Sequence, residues 1–259
     1  MPSPSAWFRE APLVIAHRGA SSRAPENTLA AFRLAGEEGA DAIELDAKLT
    51  RDGRVIVFHD PTLERITGEA GRPSERSYAD LQRFDVGIWK GEAYRGTRIP
   101  SLEEVFTEVG GRLLMNVELT NYLTPQDDLV DRVVDLVRRH RMESKVLLSS
   151  FFRRSLVRAK KLAPDIPCGH LVAPTPLMLR DLFEGAPVAT EALHAYQGLV
   201  GPWLVRRLHG QGRRVFVFTV NDPRRLRAMW RIGVDGVITD DPLAARTSIE
   251  QEAGRSDAG

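Results

Sequence analysis

The chain has 259 residues, 42% of them hydrophobic, enough to bury a full core as one large α/β barrel or as two small domains, of which the barrel is the simpler reading. Lys and Arg number 36 against 35 Asp and Glu, so a net charge of +1 supplies no overall field that would draw the protein to nucleic acid or to an anionic membrane. A lone Cys168 excludes an internal disulfide and a cysteine metal cluster, no run reaches the roughly 20 apolar residues of a membrane span, and a cytoplasmic location is expected.

In chain order, residues 1–11 read as a flexible terminus and 12–17 as the first strand, an apolar run that ends in His17-Arg18-Gly19. Asn27, before Thr28-Leu29, marks a helix start, where it serves either as an ordinary N-cap or as a substrate contact. The next strands fall near 42–48 and 55–58. The turn Thr50-Arg51-Asp52-Gly53 between them is too short to hold a crossover helix, so 55–58 is the expected surplus over eight parallel strands. Residues 60–112 then form an excursion much longer than an ordinary loop, expected to cap the barrel mouth, with Phe84, Trp89 and Tyr94 available to pack a small core of its own. Further strands are expected near 113–119, 145–150, 167–172, 187–190 (weakly patterned), 214–220 and 235–239. Helix starts are expected at Ser101 with Glu104 three residues on, Asp222 before Pro223 and Asp241 before Pro242. A single domain over 12–247 and a flexible polar tail over 248–259 complete the layout.

Chemistry concentrates at the ends of the early strands. Ile43, Leu45, Ala47 and Leu49 share one face of the second strand, and Glu44, Asp46 and Lys48 share the other. Two carboxylates on one strand face are costly to bury unless a cation or a substrate compensates them. Glu118 repeats the pattern, with Asn116 and Thr120 on its face and Met115, Val117 and Leu119 on the opposite one. The alternative for these acids is a buried ion network with Lys48 and Arg18. His194 lies in a weakly patterned stretch and reads as structural or peripheral.

The ordered set His17-Arg18-Gly19-Ala20, Pro25-Glu26-Asn27-Thr28, Glu44-Leu45-Asp46, Thr50-Arg51-Asp52-Gly53, His59-Asp60, Asn116-Val117-Glu118, Thr219-Val220-Asn221 and Thr239-Asp240 resembles the signature of the glycerophosphodiester phosphodiesterases, over residues 13–242. The resemblance implies an α/β fold, a (β/α)8 TIM-type barrel, here with a cap segment inserted after the second strand region. It also implies a divalent metal and hydrolysis of a glycerophosphodiester to glycerol 3-phosphate and an alcohol.

Such a hydrolase must neutralise a phosphate, activate a nucleophile and protonate a leaving alkoxide. Glu44, Asp46 and Glu118 offer oxygen ligands to a hard cation, Mg2+ or Ca2+. His17 and His59 are the candidate acid and base. Arg18, Asn27 and Lys48 are the candidate phosphate contacts: Arg18 through its planar fork, Lys48 as a cation that otherwise balances the acids, with Gly19 allowing close backbone approach. In the family a glycerol hydroxyl is thought to attack and form a cyclic phosphate, and the sequence does not separate that route from direct attack by water.

Three positions depart from the family pattern. Thr120 stands where a lysine is common, Phe152 where a small polar residue is usual, and Phe218 where tryptophan is usual. The partner expected is a small-molecule glycerophosphodiester, with no nucleic acid and no integral membrane segment. A lysophospholipase D that shares every catalytic residue, and a non-catalytic phosphate-binding protein suggested only by Thr120, are the alternatives. A nucleotide phosphotransferase is disfavoured because no Gly-x-x-x-x-Gly-Lys loop is present.

Overall fold

Among the described residues, short aliphatic runs form nine strands: β1 (Leu13–His17), β2 (Ala42–Leu49), β3 (Val55–Val57), β4 (Leu114–Leu119), β5 (Val146–Ser150), β6 (Cys168–Val172), β7 (Ala192–Tyr196), β8 (Arg214–Phe218) and β9 (Gly236–Thr239). The computed structural model describes residues 6–175 and 190–256. All strands but β3 are parallel and pair in the order β1-β2-β4-β5-β6-β7-β8-β9, with β9 pairing back onto β1, so the sheet closes into an eight-stranded barrel without edges. β3 runs antiparallel to β2 outside that ring, the surplus strand that the short turn before it implied.

Parallel neighbours need crossovers, and amphipathic helices supply them: α1 (Leu29–Glu37), single-turn α2 (Glu64–Thr67) and α3 (Tyr78–Leu81), α4 (Leu102–Val109), α5 (Leu129–Arg139), α6 (Arg153–Leu162), α7 (Pro202–His209), α8 (Pro223–Arg231) and α9 (Pro242–Ser256). Leu102, Val105, Phe106 and Val109 follow the helical period and bury one stripe of α4 on the barrel's outer face with Leu45, Val117 and Leu119. Ser101 and Glu104 form the expected capping box, and Asp222 and Asp241 accept from the Arg225 and Ala244 amides. Within the barrel, Leu13, Ile15, Leu147, Phe216 and Ile238 pack with Trp7, whose indole donates to the Lys145 carbonyl at 2.9 Å and plugs the N-terminal end.

Several expectations are corrected. Thr28, not Asn27, is the N-cap of α1: its side chain accepts from the Ala31 amide, and Asn27 adopts a left-handed φ of 58° just outside. The strand expected at 187–190 falls on residues 187–189, outside the described ones, and the next barrel strand is β7 at Ala192–Tyr196. Ordered structure also reaches beyond 12–247 at both ends. Residues 6–8 form a 3-10 turn that buries Trp7, and α9 runs through the supposed tail, with Arg231 gripping Glu252 at 2.8 Å. The excursion after His59 is shorter than 60–112, because α4 belongs to the barrel's outer layer.

What remains of the excursion has a core of Phe58, Leu63, Ile66, Leu81, Val86 and Ile99, with Phe84 against it, whereas Trp89 is exposed. Lys90 and Tyr94 tie it to the loop after β1 by donating to the Ser21 carbonyl at 2.6 Å and the Arg23 carbonyl at 3.0 Å.

Candidate active site

Strand register assembles the site at the C-terminal end of the barrel. His17 pairs with Glu44 across β1 and β2, and Asp46 pairs with Glu118 across β2 and β4, so residues distant in sequence meet on one inner face. Glu44, Asp46 and Glu118 each present an oxygen within 4.8 Å of the other two. Burial pushes the Glu44 carboxyl well above the usual carboxylate range, and the charges of Asp46 and Glu118 push it further. Burial and Asp46 likewise push Glu118 up to about 8, against hydrogen bonding from Tyr122. Asp46 is held below its usual value: burial opposes ionisation, but Arg18, His59 and Asn27 outweigh it. Two buried acids and a half-buried third, of which Glu44 and Glu118 resist ionisation, have less counter-charge than three carboxylates need, and all-oxygen donors suit a hard divalent cation.

Polar neighbours fix each acid. The Asn27 amide donates to Asp46 Oδ2 at 2.8 Å while its Oδ1 accepts from the Asp46 backbone N–H at 3.3 Å, so both side-chain groups of Asn27 are bonded to Asp46. Tyr122 donates to Glu118 at 2.6 Å. Arg18 also has a left-handed φ of 56°, which turns its amide onto Glu44 Oε2 at 3.1 Å. Its guanidinium reaches Glu26 at 2.8 Å and lies 3.4 Å from Asp46. At Gly19 a Cβ would sit 2.6 Å from Ala31 Cβ and 2.7 Å from the Ala31 carbonyl carbon, so its bareness lets α1 pack against the β1 loop.

The two histidines have matching support. Nδ1 of His17 lies 2.6 Å from Asp240, and Nδ1 of His59 lies 2.8 Å from Asp60. An ionised carboxylate can only accept, so each Nδ1 carries the proton and each Nε2 is left for chemistry. Despite partial burial, hydrogen bonds from His17, Asn221 and Ser21 hold Asp240 down to about 2. Asp60 is gripped by Arg65, which also clamps Glu26. His17 Nε2 lies 4.0 Å from Glu44. Sequence reasoning matched Asp240 and Asp60 to motifs without giving them a role, and missed Tyr122 and Arg65. The adjacency His59-Asp60 was the available signal for one of these, whereas Tyr122 and Asp240 needed the fold.

A cavity of about 330 Å3 opens beside the acids, reached by Lys48, His59 and Glu118 from the barrel and by Pro61 and Pro73 from the excursion. Lys48 donates to Thr120 Oγ1 at 3.0 Å, so the ammonium of Lys48 stands against the residue that departs from the family's lysine. Phe151 lines the cavity, whereas Phe152 packs edge-on against Tyr122, with ring centroids 4.9 Å apart. Phe218 meets Phe151 at 6.0 Å and retains an apolar wall.

The model of the glycerophosphoryl diester phosphodiesterase family matches residues 17–244, which span every residue of this site. The chain belongs to that family. Its enzyme class is thereby glycerophosphodiester phosphodiesterase. It is 37% identical over 236 residues to the glycerophosphodiester phosphodiesterase of Caldanaerobacter subterraneus subsp. tengcongensis, covering 89% of this chain and 94% of the relative. The enzyme of that name from Bacillus altitudinis is 34% identical over 246 residues, covering 88% and 94%. The structure of an Oleispira antarctica phosphodiesterase in complex with the product sn-glycerol-3-phosphate superposes with a TM-score of 0.84 at 33% identity, covering 93% of this chain and 97% of that one. Among the described residues, no helix is long and apolar enough to cross a membrane.

Proposed function

We propose that the protein hydrolyses glycerophosphodiesters to glycerol 3-phosphate and an alcohol, with a divalent cation, Mg2+ or Ca2+, held by Glu44, Asp46 and Glu118 and with His17 and His59 moving the protons. The observation that carries this reading is the pair of imidazoles, each backed at Nδ1 by a carboxylate, beside three clustered acids of which Glu44 and Glu118 are held above the usual carboxylate range. A bound cation there supplies positive charge to the phosphate oxygens. Arg18 adds a guanidinium fork and Lys48 an ammonium on the cavity wall.

Nε2 of one histidine accepts the proton of the attacking hydroxyl, while Nε2 of the other delivers a proton to the leaving alkoxide. Asp240 and Asp60 hold the rings in the tautomer that this exchange needs and stabilise whichever imidazole is protonated. Asn27 and Tyr122 act as positioning residues for Asp46 and Glu118. The excursion after His59 caps the mouth of a single domain that takes in the Trp7 turn and α9. Its ties through Lys90 and Tyr94, and the cavity wall formed by Pro61 and Pro73, support that role.

The test is release of glycerol 3-phosphate from a panel of glycerophosphodiesters and lysophospholipids by metal-stripped protein resupplied with Mg2+, Ca2+ or Mn2+ in turn. The reading expects no turnover in excess EDTA and recovery with one of these ions. Full turnover in EDTA by protein free of metal would overturn the cation site.

A further inference from the structure

Two cations line the cavity beside the acids. Lys48, from the barrel, is partly buried and bonded to Thr120. Arg72, from the excursion, is exposed, and no carboxylate among the described residues pairs with its guanidinium. The other arginines around the site are neutralised, Arg18 by Glu26 and Asp46, and Arg65 by Glu26 and Asp60. The two acids that line the cavity are committed elsewhere. Glu118 accepts from Tyr122, and Asp127 accepts from Asn121, Thr124 and the Leu129 amide. Leu49, Pro73 and Phe151 add apolar wall to the same cavity.

Resting on the hydrolase reading above, we propose that the leaving alcohol carries a second anionic group, a carboxylate or a phosphate monoester, and that Arg72 is the residue that recognises it. The phosphodiester accounts for Lys48 and leaves Arg72 unmatched. The glycerol half of the substrate bears no charge of its own, so an anion that pairs with Arg72 belongs to the other alcohol. A guanidinium presents paired donors to either anion, and the partly enclosed mouth strengthens the pair over one in open water. The same guanidinium repels an alcohol whose only charge is an ammonium.

The experiment compares kcat/KM within two matched pairs that differ only by the anion: glycerophosphoserine against glycerophosphoethanolamine, and the diester whose leaving alcohol is glycerol 3-phosphate against the one whose leaving alcohol is glycerol. In the wild type the anionic member of at least one pair is expected to lead by about fivefold, the upper range of an exposed ion pair, and the lead should shrink as salt is raised. The pair that shows the lead tells carboxylate from phosphate. Arg72→Gln should bring the ratio close to one and Arg72→Lys should keep part of it, with thermal unfolding confirming that both variants fold. A wild-type ratio of one or less in both pairs, or an Arg72→Gln variant that slows both members equally, overturns the inference and leaves the hydrolase reading standing. Turnover of none of the four diesters under any metal overturns both.

Discussion

His17 and His194 are both strand residues of one barrel, and their surroundings make them chemically unlike. His17 ends β1 at the C-terminal rim, is 23% exposed, and holds Asp240 on one nitrogen while the other faces Glu44. His194 sits in the middle of β7 and is fully buried, with Asn116 3.4 Å from its Nδ1 and the Phe216 ring edge-on at 5.2 Å. Burial, then the neighbouring His170, drives His194 down to about 3, so it is a neutral packing group. A place at the rim and one carboxylate partner separate the proposed proton carrier from a piece of core. His59 follows the His17 pattern although it lies just after β3, outside the ring, because Asp60 supplies the partner locally.

Removing the imidazoles should widen this contrast most. His17→Ala and His59→Ala should each lower kcat by at least roughly 10²-fold, the usual loss of a general acid or base, with little change in Tm. His194→Ala should instead leave most of the turnover and lower stability by about 2–4 kcal/mol, as for other large-to-small core changes, read from denaturant unfolding. Near-wild-type turnover in the first pair, or catalytic collapse of a stably folded His194→Ala, would erase the distinction.

The carboxylate partners come next. Asp240→Asn and Asp60→Asn keep shape but free the Nδ1 proton, and kcat should fall about 10–100-fold in steady-state assays, since a second-layer carboxylate sets tautomer and orientation. If neither rate moved, the imidazoles would owe their function to position along the strand alone.

Acid stability offers a further discriminator. His194 titrates near 3 when folded and near 6.5 when unfolded, so its neutral form stabilises the protein fully above pH 6.5, and that contribution is lost as pH falls from there towards 3. His194→Gln should therefore flatten the decline in Tm between pH 6 and pH 4 relative to wild type. An unchanged slope would mean that His194 gains a proton in the native state.

The smallest effect expected is at Thr120. Thr120→Val removes the hydroxyl that Lys48 bonds and should raise KM by about tenfold, since the low end for a hydrogen bond to a charged group is roughly 1.5 kcal/mol. Thr120→Lys would set a second ammonium against Lys48 and should not speed the reaction. A gain in kcat/KM would show that the phosphate lacks a cation on that wall.

The sequence was most legible where chemistry and periodicity coincide. Alternation along β2 placed Glu44 and Asp46 on one face. The short turn before Val55 made β3 the surplus strand, and Ser101 with Glu104 located α4. It was least legible where a residue's role depends on a partner far along the chain. Asn27 reads locally as a cap, yet its amide belongs to Asp46, nineteen residues on. Trp7 reads as part of a loose terminus, yet it plugs the barrel, and a polar tail is held as helix in part through Arg231 and Glu252.

By itself, then, the sequence determined the parallel α/β architecture, the strand faces that carry acid, the two histidines proposed here to move protons and the family, because these follow from short-range stereochemistry and from residue types kept in order. Only the closed barrel decided that Asp240, at the end of β9, would orient His17, that Arg18 and Asn27 would take left-handed backbones to serve Glu44 and Asp46, and that Lys48 would stand against Thr120. Register across neighbouring strands sets those distances, and register is a property of the closed sheet that no single segment encodes.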